Sequence, residues 1–216
     1  MALVKIDGGW FDPESHGYYG IDGKWVVSAT QLLKLTGYSD YSHIDPEVLR
    51  NKAEIGSEAH EIAAMIDRYG LDIDPTWITE RSKPYVDAYI KFRNDKNFVP
   101  DPEWIEKPII ACIHGMKIGI TLDVFGKLDG YDAILERKCV ETPMAAWAIQ
   151  TCLQEMGKYK SNSVGRAQRF ALQMKKDGTY RMNPHTNHTL DQSRAIGALV
   201  TVYGRLDCGQ KLWEQV

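Results

Sequence analysis

The stretch Gly119-Ile-Thr-Leu-Asp123-Val-Phe-Gly-Lys-Leu-Asp129-Gly130-Tyr-Asp-Ala-Ile-Leu-Glu136-Arg137-Lys138 decides the reading of this chain. Asp129-Gly130 is the dipeptide favoured in a two-residue type I′ turn, and apolar residues flank it on both sides, so the segment reads as a β-hairpin. With that turn, Leu128 faces Tyr131 and Asp123 lies opposite Glu136. Directly opposed residues share one sheet face, at about 5 Å between Cβ atoms, and the two-residue period adds Lys138 to it. Carboxylates held that close repel, which calls for a cation beside them. A divalent ion is the natural one, with Lys138 a weaker partner. Carboxylate oxygens suit Mg2+ or Mn2+, and the Arg137 backbone carbonyl is a further oxygen donor. Taken alone, the pattern is equally that of a surface Asp–Glu–Lys ladder, and a one-residue slip in register would reverse the faces of one strand.

Working outward, Ser28 and Gln31 have the spacing of a capping box, which starts a helix that stops near Gly37. Ile55, Ala59, Ile62, Ala63 and Ile66 recur at helical spacing and predict a second helix over Glu47–Tyr69, stopped by Gly70. A third begins near Trp77 or Glu80, shows an aromatic face of Tyr85, Tyr89 and Phe92, and ends at a Pro100–Pro102 turn. The opening residues read as a loop or short hairpin around Trp10–Trp25. Trp104–Ile113 reads as a strand that Pro108 makes an edge or a bent one. After the hairpin, Thr142-Pro143 opens a helix running to about Met156. Val164–Met174 and Thr179–Met182 are strands joined at Asp177-Gly178, and Leu190 to about Arg205 is a last helix. The expected class is α+β, a central mixed sheet containing the hairpin and flanked by helices. One domain spans 1–216: a mostly helical part over 1–100, the sheet core over 101–182 and a C-terminal helix over 183–216.

The 216 residues suffice for one sizeable core. A chain 44% hydrophobic and 25% charged is not disordered, collagenous or coiled coil. No apolar run approaches the roughly 20 residues that span a membrane, and Met1–Trp10 lacks the pattern of a secretory signal. Cys112, Cys139, Cys152 and Cys208 are widely spaced and read as free thiols or core residues, which points to a reducing cytoplasm. The net charge of −3 supplies no cationic field. Locally the balance differs, because residues 155–181 carry seven basic side chains against two acidic ones. That segment suits phosphate tracking, and is also what an ordinary solvated face looks like.

The order Asp123, Glu136-x-Lys138 and then Gln150 resembles the PD-(D/E)xK nuclease superfamily, in particular its RecB-like branch of phage recombination exonucleases and Cas4-type nucleases. Gly56-Ser-Glu-Ala-His60 is similar to that branch's Gly-x-x-x-His motif, and Ser28-Ala-Thr30-Gln-Leu-Leu33 to its N-terminal signature. The resemblance covers roughly Ser28 to Met156 and implies a restriction-endonuclease-like fold. It further implies that His60, Asp123, Glu136 and the Arg137 carbonyl bind Mg2+ or Mn2+, and that Lys138 orients or activates the attacking water. Gln150 would hold Lys138 or the scissile phosphate. Glu106, with Glu103 as competitor, would reach the metal through water. Gln154 departs from the family, which often has Tyr there, and this puts a phosphate or base contact in doubt.

Read from the residues, His60 is either a hydrogen-bonded histidine or a ligand, on a helix whose small residues Gly56, Ala59 and Ala63 permit close approach to a sheet. Candidate DNA contacts are Ser28, Thr30, Lys158, Lys160, Arg166 and Arg169. Tyr38, Tyr41 and His43 are further candidates for base stacking, and His185 and His188 read as loop residues. The cysteines lack the clustering of an iron–sulfur site, and no phosphate-binding loop of an ATPase is present. The expectation is a metal-dependent DNA exonuclease of a bacterial or phage-infected cell, leaving 5′-phosphate products. DNA is the partner, with a homo-oligomer or a strand-annealing recombination protein as further ones. The alternatives are an endonuclease of the same fold and a non-catalytic DNA-binding assembly protein.

Overall fold

The computed structural model describes residues 3–140, 142 and 144–208. Its centre is a five-stranded mixed sheet of β5 (Phe98–Ile113), β6 (Met116–Leu128), β7 (Tyr131–Lys138), β8 (Gln168–Met174) and β9 (Tyr180–Pro184), in that order. All neighbours are antiparallel except β7 and β8. That parallel pair requires a crossover, which α4 (Ala145–Lys158) provides.

Helices cover both faces. On one, α2 (Pro46–Tyr69) and α3 (Lys83–Asp95) pack Ile62, Ile66, Tyr89 and Phe92 against Leu128, Leu135 and Leu172. On the other, α1 (Ala29–Leu35), α4 and α5 (His188–Asp207) pack Leu32, Trp147, Ile149 and Leu199 against Ile120 and Ile134. The chain is therefore α+β, with a mixed sheet between helical layers. Among the described residues, no helix is long and apolar enough to cross a membrane.

The turn of the expected hairpin and the register beside it hold, while the expected Asp123–Glu136 pair lies beyond the end of the ladder. Asp129 and Gly130 have φ of 50° and 87°, the positive pair a type I′ turn requires. Leu128 then pairs with Tyr131 and Val124 with Leu135. The α1 capping box is present, with Ser28 accepting from the Gln31 N–H and Gln31 from the Ser28 N–H.

Three boundaries differ. The third helix is shorter than expected, and Pro100 and Pro102 lie within β5 instead of ending the helix. They are tolerated because β5 is the sheet edge, and its register with β6 shifts between Pro100 and Ile105. Residues before α1 form a four-stranded antiparallel sheet, β1 (Val4–Ile6), β2 (Gly9–Asp12), β3 (Gly17–Gly20) and β4 (Trp25–Val26), so the segment 1–100 is less helical than expected. Finally, α4 begins at Ala145 behind Met144, which makes no side-chain cap. Of the expected Thr142-Pro143 start, Pro143 lies outside the described residues.

The small sheet docks on the β5–β6 arm. Buried Tyr18 lies over Gly119, where a Cβ would come within 2.2 Å of its ring, and its hydroxyl meets the Thr121 hydroxyl at 2.5 Å. Only glycine fits beneath that ring.

Candidate metal centre

The site forms where the β5–β6 ribbon turns over. Leu122 and Val124 are two residues apart, which in a regular strand puts them on one face. Here Leu122 packs in the α4-side cluster and Val124 in the α2–α3-side cluster. On β5, Ile105 and Ile109 divide in the same way, and between them Glu106 has φ of 48°. The β6–β7 ladder runs only as far as Val124 and Leu135. Beyond it, the Arg137 N–H donates to the Asp123 carboxylate at 2.7 Å, and the Arg137 guanidinium donates to the Asp123 carbonyl at 2.8 Å. The sheet thus opens at Asp123 with its backbone groups satisfied by side chains.

His60 on α2, Glu106 on β5 and Asp123 on β6 each present a ligand atom within 4.8 Å of the others. His60 Nδ1 is 3.6 Å from Asp123 Oδ2. Burial, and after it the Arg137 guanidinium, pushes the imidazole down to about 3, so it is neutral and able to ligate. The carboxylates go the other way. Burial and then Asp123 push Glu106 up to about 8, and burial raises Asp123 against the pull of Arg137 and Lys138. Glu136 is raised by burial and by Asp123.

One neutral imidazole and two crowded carboxylates, buried Asp123 and half-buried Glu106, form a donor set that fits a hard divalent ion. The imidazole leans toward Mn2+. Glu106 stands beside His60 and Asp123 and is also held by Arg137 at 2.7 Å, while the Glu136 carboxylate, expected as a ligand, is engaged by Lys138 at 2.6 Å and by Gln154. Glu103, the competitor, is exposed in the shifted part of β5.

Lys138 and Gln150 meet as the resemblance implies, with the ammonium 3.0 Å from Gln150 Oε1. The Glu136 and Asp123 carboxylates raise the Lys138 pKa despite its burial. Gln154, noted above as a departure, is fully buried and donates to Glu136 and to the Thr121 carbonyl.

Arg137, expected to contribute its backbone carbonyl, also contributes its side chain. It is fully buried and donates to Glu106 at 2.7 Å and to Asp67 at 3.3 Å, over the Tyr89 ring. Asp67 in turn accepts from Tyr89 at 2.6 Å and from Arg93. Asp67 and Arg93 fall on the same helical faces as apolar residues, and that placement of charge was the available sign of the network.

The expected DNA contacts are mostly engaged elsewhere. Arg169 is buried, and its guanidinium binds Glu155 at 3.3 Å and Asp191 at 2.9 Å. It is an interior counter-ion and not the DNA contact expected from the basic segment. Lys158 lies 3.7 Å from the centre of the Trp104 ring and 4.4 Å from that of Phe125, and burial lowers its pKa. Lys160 pairs with Asp7 at 2.8 Å, and Ser28 caps α1. Thr30 and Arg166 are exposed, the latter against the Tyr159 ring. Gly56 was expected to bring α2 close to the sheet, yet a Cβ there would have no atom within 4 Å. Ala59 and Ala63 make the close approach instead, both with no exposed surface.

Searches against protein-family models and curated proteins returned no match.

Proposed function

We propose that this protein is a divalent-metal-dependent DNA nuclease of the PD-(D/E)xK type, with a restriction-endonuclease-like fold, acting as an exonuclease in recombination or repair. The observation that carries the reading is the convergence of His60, Glu106 and Asp123 within 4.8 Å, beside a Lys138 ammonium held by Glu136 and Gln150. Binding alone needs no such lysine, which weighs against a non-catalytic assembly protein.

His60, Glu106 and Asp123 would hold Mg2+ or Mn2+. Such an ion, when bound, neutralises phosphate oxygens and makes water a better nucleophile. The chain's own groups divide the remaining work. Lys138 stays protonated beside two carboxylates, so it serves as a donor to the attacking water or to the charge growing on the phosphate, and not as a base. Gln150 fixes the ammonium from α4, and Gln154 keeps Glu136 in place. Water adds to phosphorus, the bond to the 3′ oxygen breaks, and a 5′ phosphate and a 3′ hydroxyl result.

End-labelled linear DNA and covalently closed circles incubated side by side with Mn2+ test the mode of cutting. An exonuclease releases 5′-mononucleotides from the linear DNA and spares the circle. Equal loss of the circle overturns that mode in favour of an endonuclease.

A further inference from the structure

His60 and Glu106 also lie in the wall of a groove of about 470 Å3 along α2. Gly56, one turn before His60, lines it with no atom within 4 Å of where a Cβ would be. Two turns after His60, exposed Arg68 lines the same groove and is anchored there by a hydrogen bond of 3.1 Å from Nη2 to the carbonyl of Ile105, the residue preceding Glu106. Ser57 and His16 add a hydroxyl and an imidazole, Met65 an apolar patch and Glu61 a carboxylate. A planar guanidinium with several donors matches a phosphate. The acidic residues beside it would repel one unless a cation is bound nearby.

We propose that this groove is the seat of the substrate strand: Arg68 holds a backbone phosphate next to the one that is cut, and the missing side chain at Gly56 keeps the passage open. This rests on the nuclease reading. It assigns the strand to the α2 side of the centre, away from the basic segment 155–181, whose Arg169 is buried.

The test uses the full chain and a fluorescently labelled single-stranded oligonucleotide of about a dozen nucleotides, with Ca2+ for binding by anisotropy and Mn2+ for cleavage. Gly56→Leu fills the groove and weakens oligonucleotide binding by about tenfold or more, a loss of about 1.4 kcal/mol. Its Mn2+ affinity, read by electron paramagnetic resonance, stays near that of the unaltered protein. Its melting temperature does not fall, because leucine is the better helix former. Arg68→Gln lowers the slope of log affinity against log salt by about 0.7, one phosphate contact on a single strand. An unchanged salt slope in Arg68→Gln overturns the proposal, and that arm decides should Gly56→Leu melt early. Normal binding and cleavage by Gly56→Leu also overturn it, and leave the nuclease reading standing. Groove-dependent binding by a protein that never cuts sinks the nuclease reading and supports the groove.

Discussion

Arg137 holds Glu106 in the candidate centre: its guanidinium donates to the Glu106 carboxylate at 2.7 Å from a position with no exposed surface. The same group reaches Asp67 and the Asp123 carbonyl. It therefore ties one ligand's side chain, another ligand's backbone and the Asp67–Tyr89–Arg93 cluster into one unit. Among these carboxylates it is an internal cation, offsetting some of the charge that burial and crowding make costly.

Removing that cation should be expensive. Arg137→Met takes the guanidinium from half-buried Glu106 and from the Asp123 carbonyl, and leaves buried Asp67 with only Tyr89 and Arg93; losing one partner of such a network costs about 3–5 kcal/mol. Urea unfolding measures it. A loss below about 1 kcal/mol would show that the carboxylates take up protons or water at little cost.

Asp123→Asn has the opposite effect on stability. Burial raises the Asp123 pKa above its ordinary value, so at pH 7 its ionised form destabilises the metal-free fold. The amide removes that charge and keeps an oxygen for the Arg137 N–H. Metal-free stability rises, while the rise in melting temperature on adding Mn2+ disappears. A variant that is still stabilised by Mn2+ as strongly as the unaltered chain contradicts the ligand assignment.

The hairpin was legible because its determinants are local. Asp129-Gly130 sets the turn, the turn sets the register as far as Val124 and Leu135, and the two-residue period puts Glu136 and Lys138 on one face. The capping box at Ser28 and the stop at Gly70 are local in the same sense. What escaped depends on contacts distant in sequence. The face reversal at Glu106 and Asp123 breaks the two-residue period, so the hairpin's alternation alone does not show Glu106 arriving beside His60 and Asp123. Arg169 looked like a surface cation in a basic run, and only the fold brings Glu155 and Asp191 to it. Counting charges along a chain cannot distinguish such a buried pair from a phosphate contact.

Lys138→Met should leave Mn2+ affinity near its original value, since the lysine is no ligand, and lower kcat by about 100- to 1,000-fold, the scale of one lost transition-state donor. Gln150→Ala, which leaves the ammonium held by Glu136 alone, should cost about tenfold. Single-turnover cleavage rates beside Mn2+ titrations separate the two effects. Equal rates in Lys138→Met and the unaltered protein refute the donor role.

Away from the centre, His185 gives the fold an acid limit. Burial and then Arg169 push it down to about 4, with Asp191 opposing; Glu155 and His188 are further ionisable groups at Arg169. The unfolded chain thus takes up a proton near pH 6.5 that the folded chain accepts only near pH 4. Its contribution is complete above pH 6.5 and is lost as pH falls toward 4. After allowance for partial exposure, the loss is on the order of 2 kcal/mol. His185→Asn, which cannot titrate, should flatten that limb in urea melts from pH 7 to pH 4; an unchanged limb would rule His185 out as its source.

The central claim is hydrolysis of DNA by a divalent ion held at His60, Glu106 and Asp123. The most direct measurement is cleavage of end-labelled linear DNA with Mn2+, comparing the unaltered chain, the same chain with EDTA, and Asp123→Asn. Conversion to 5′-phosphate products by the first alone is the predicted result. No cleavage by the unaltered chain, or equal cleavage by Asp123→Asn, would contradict it.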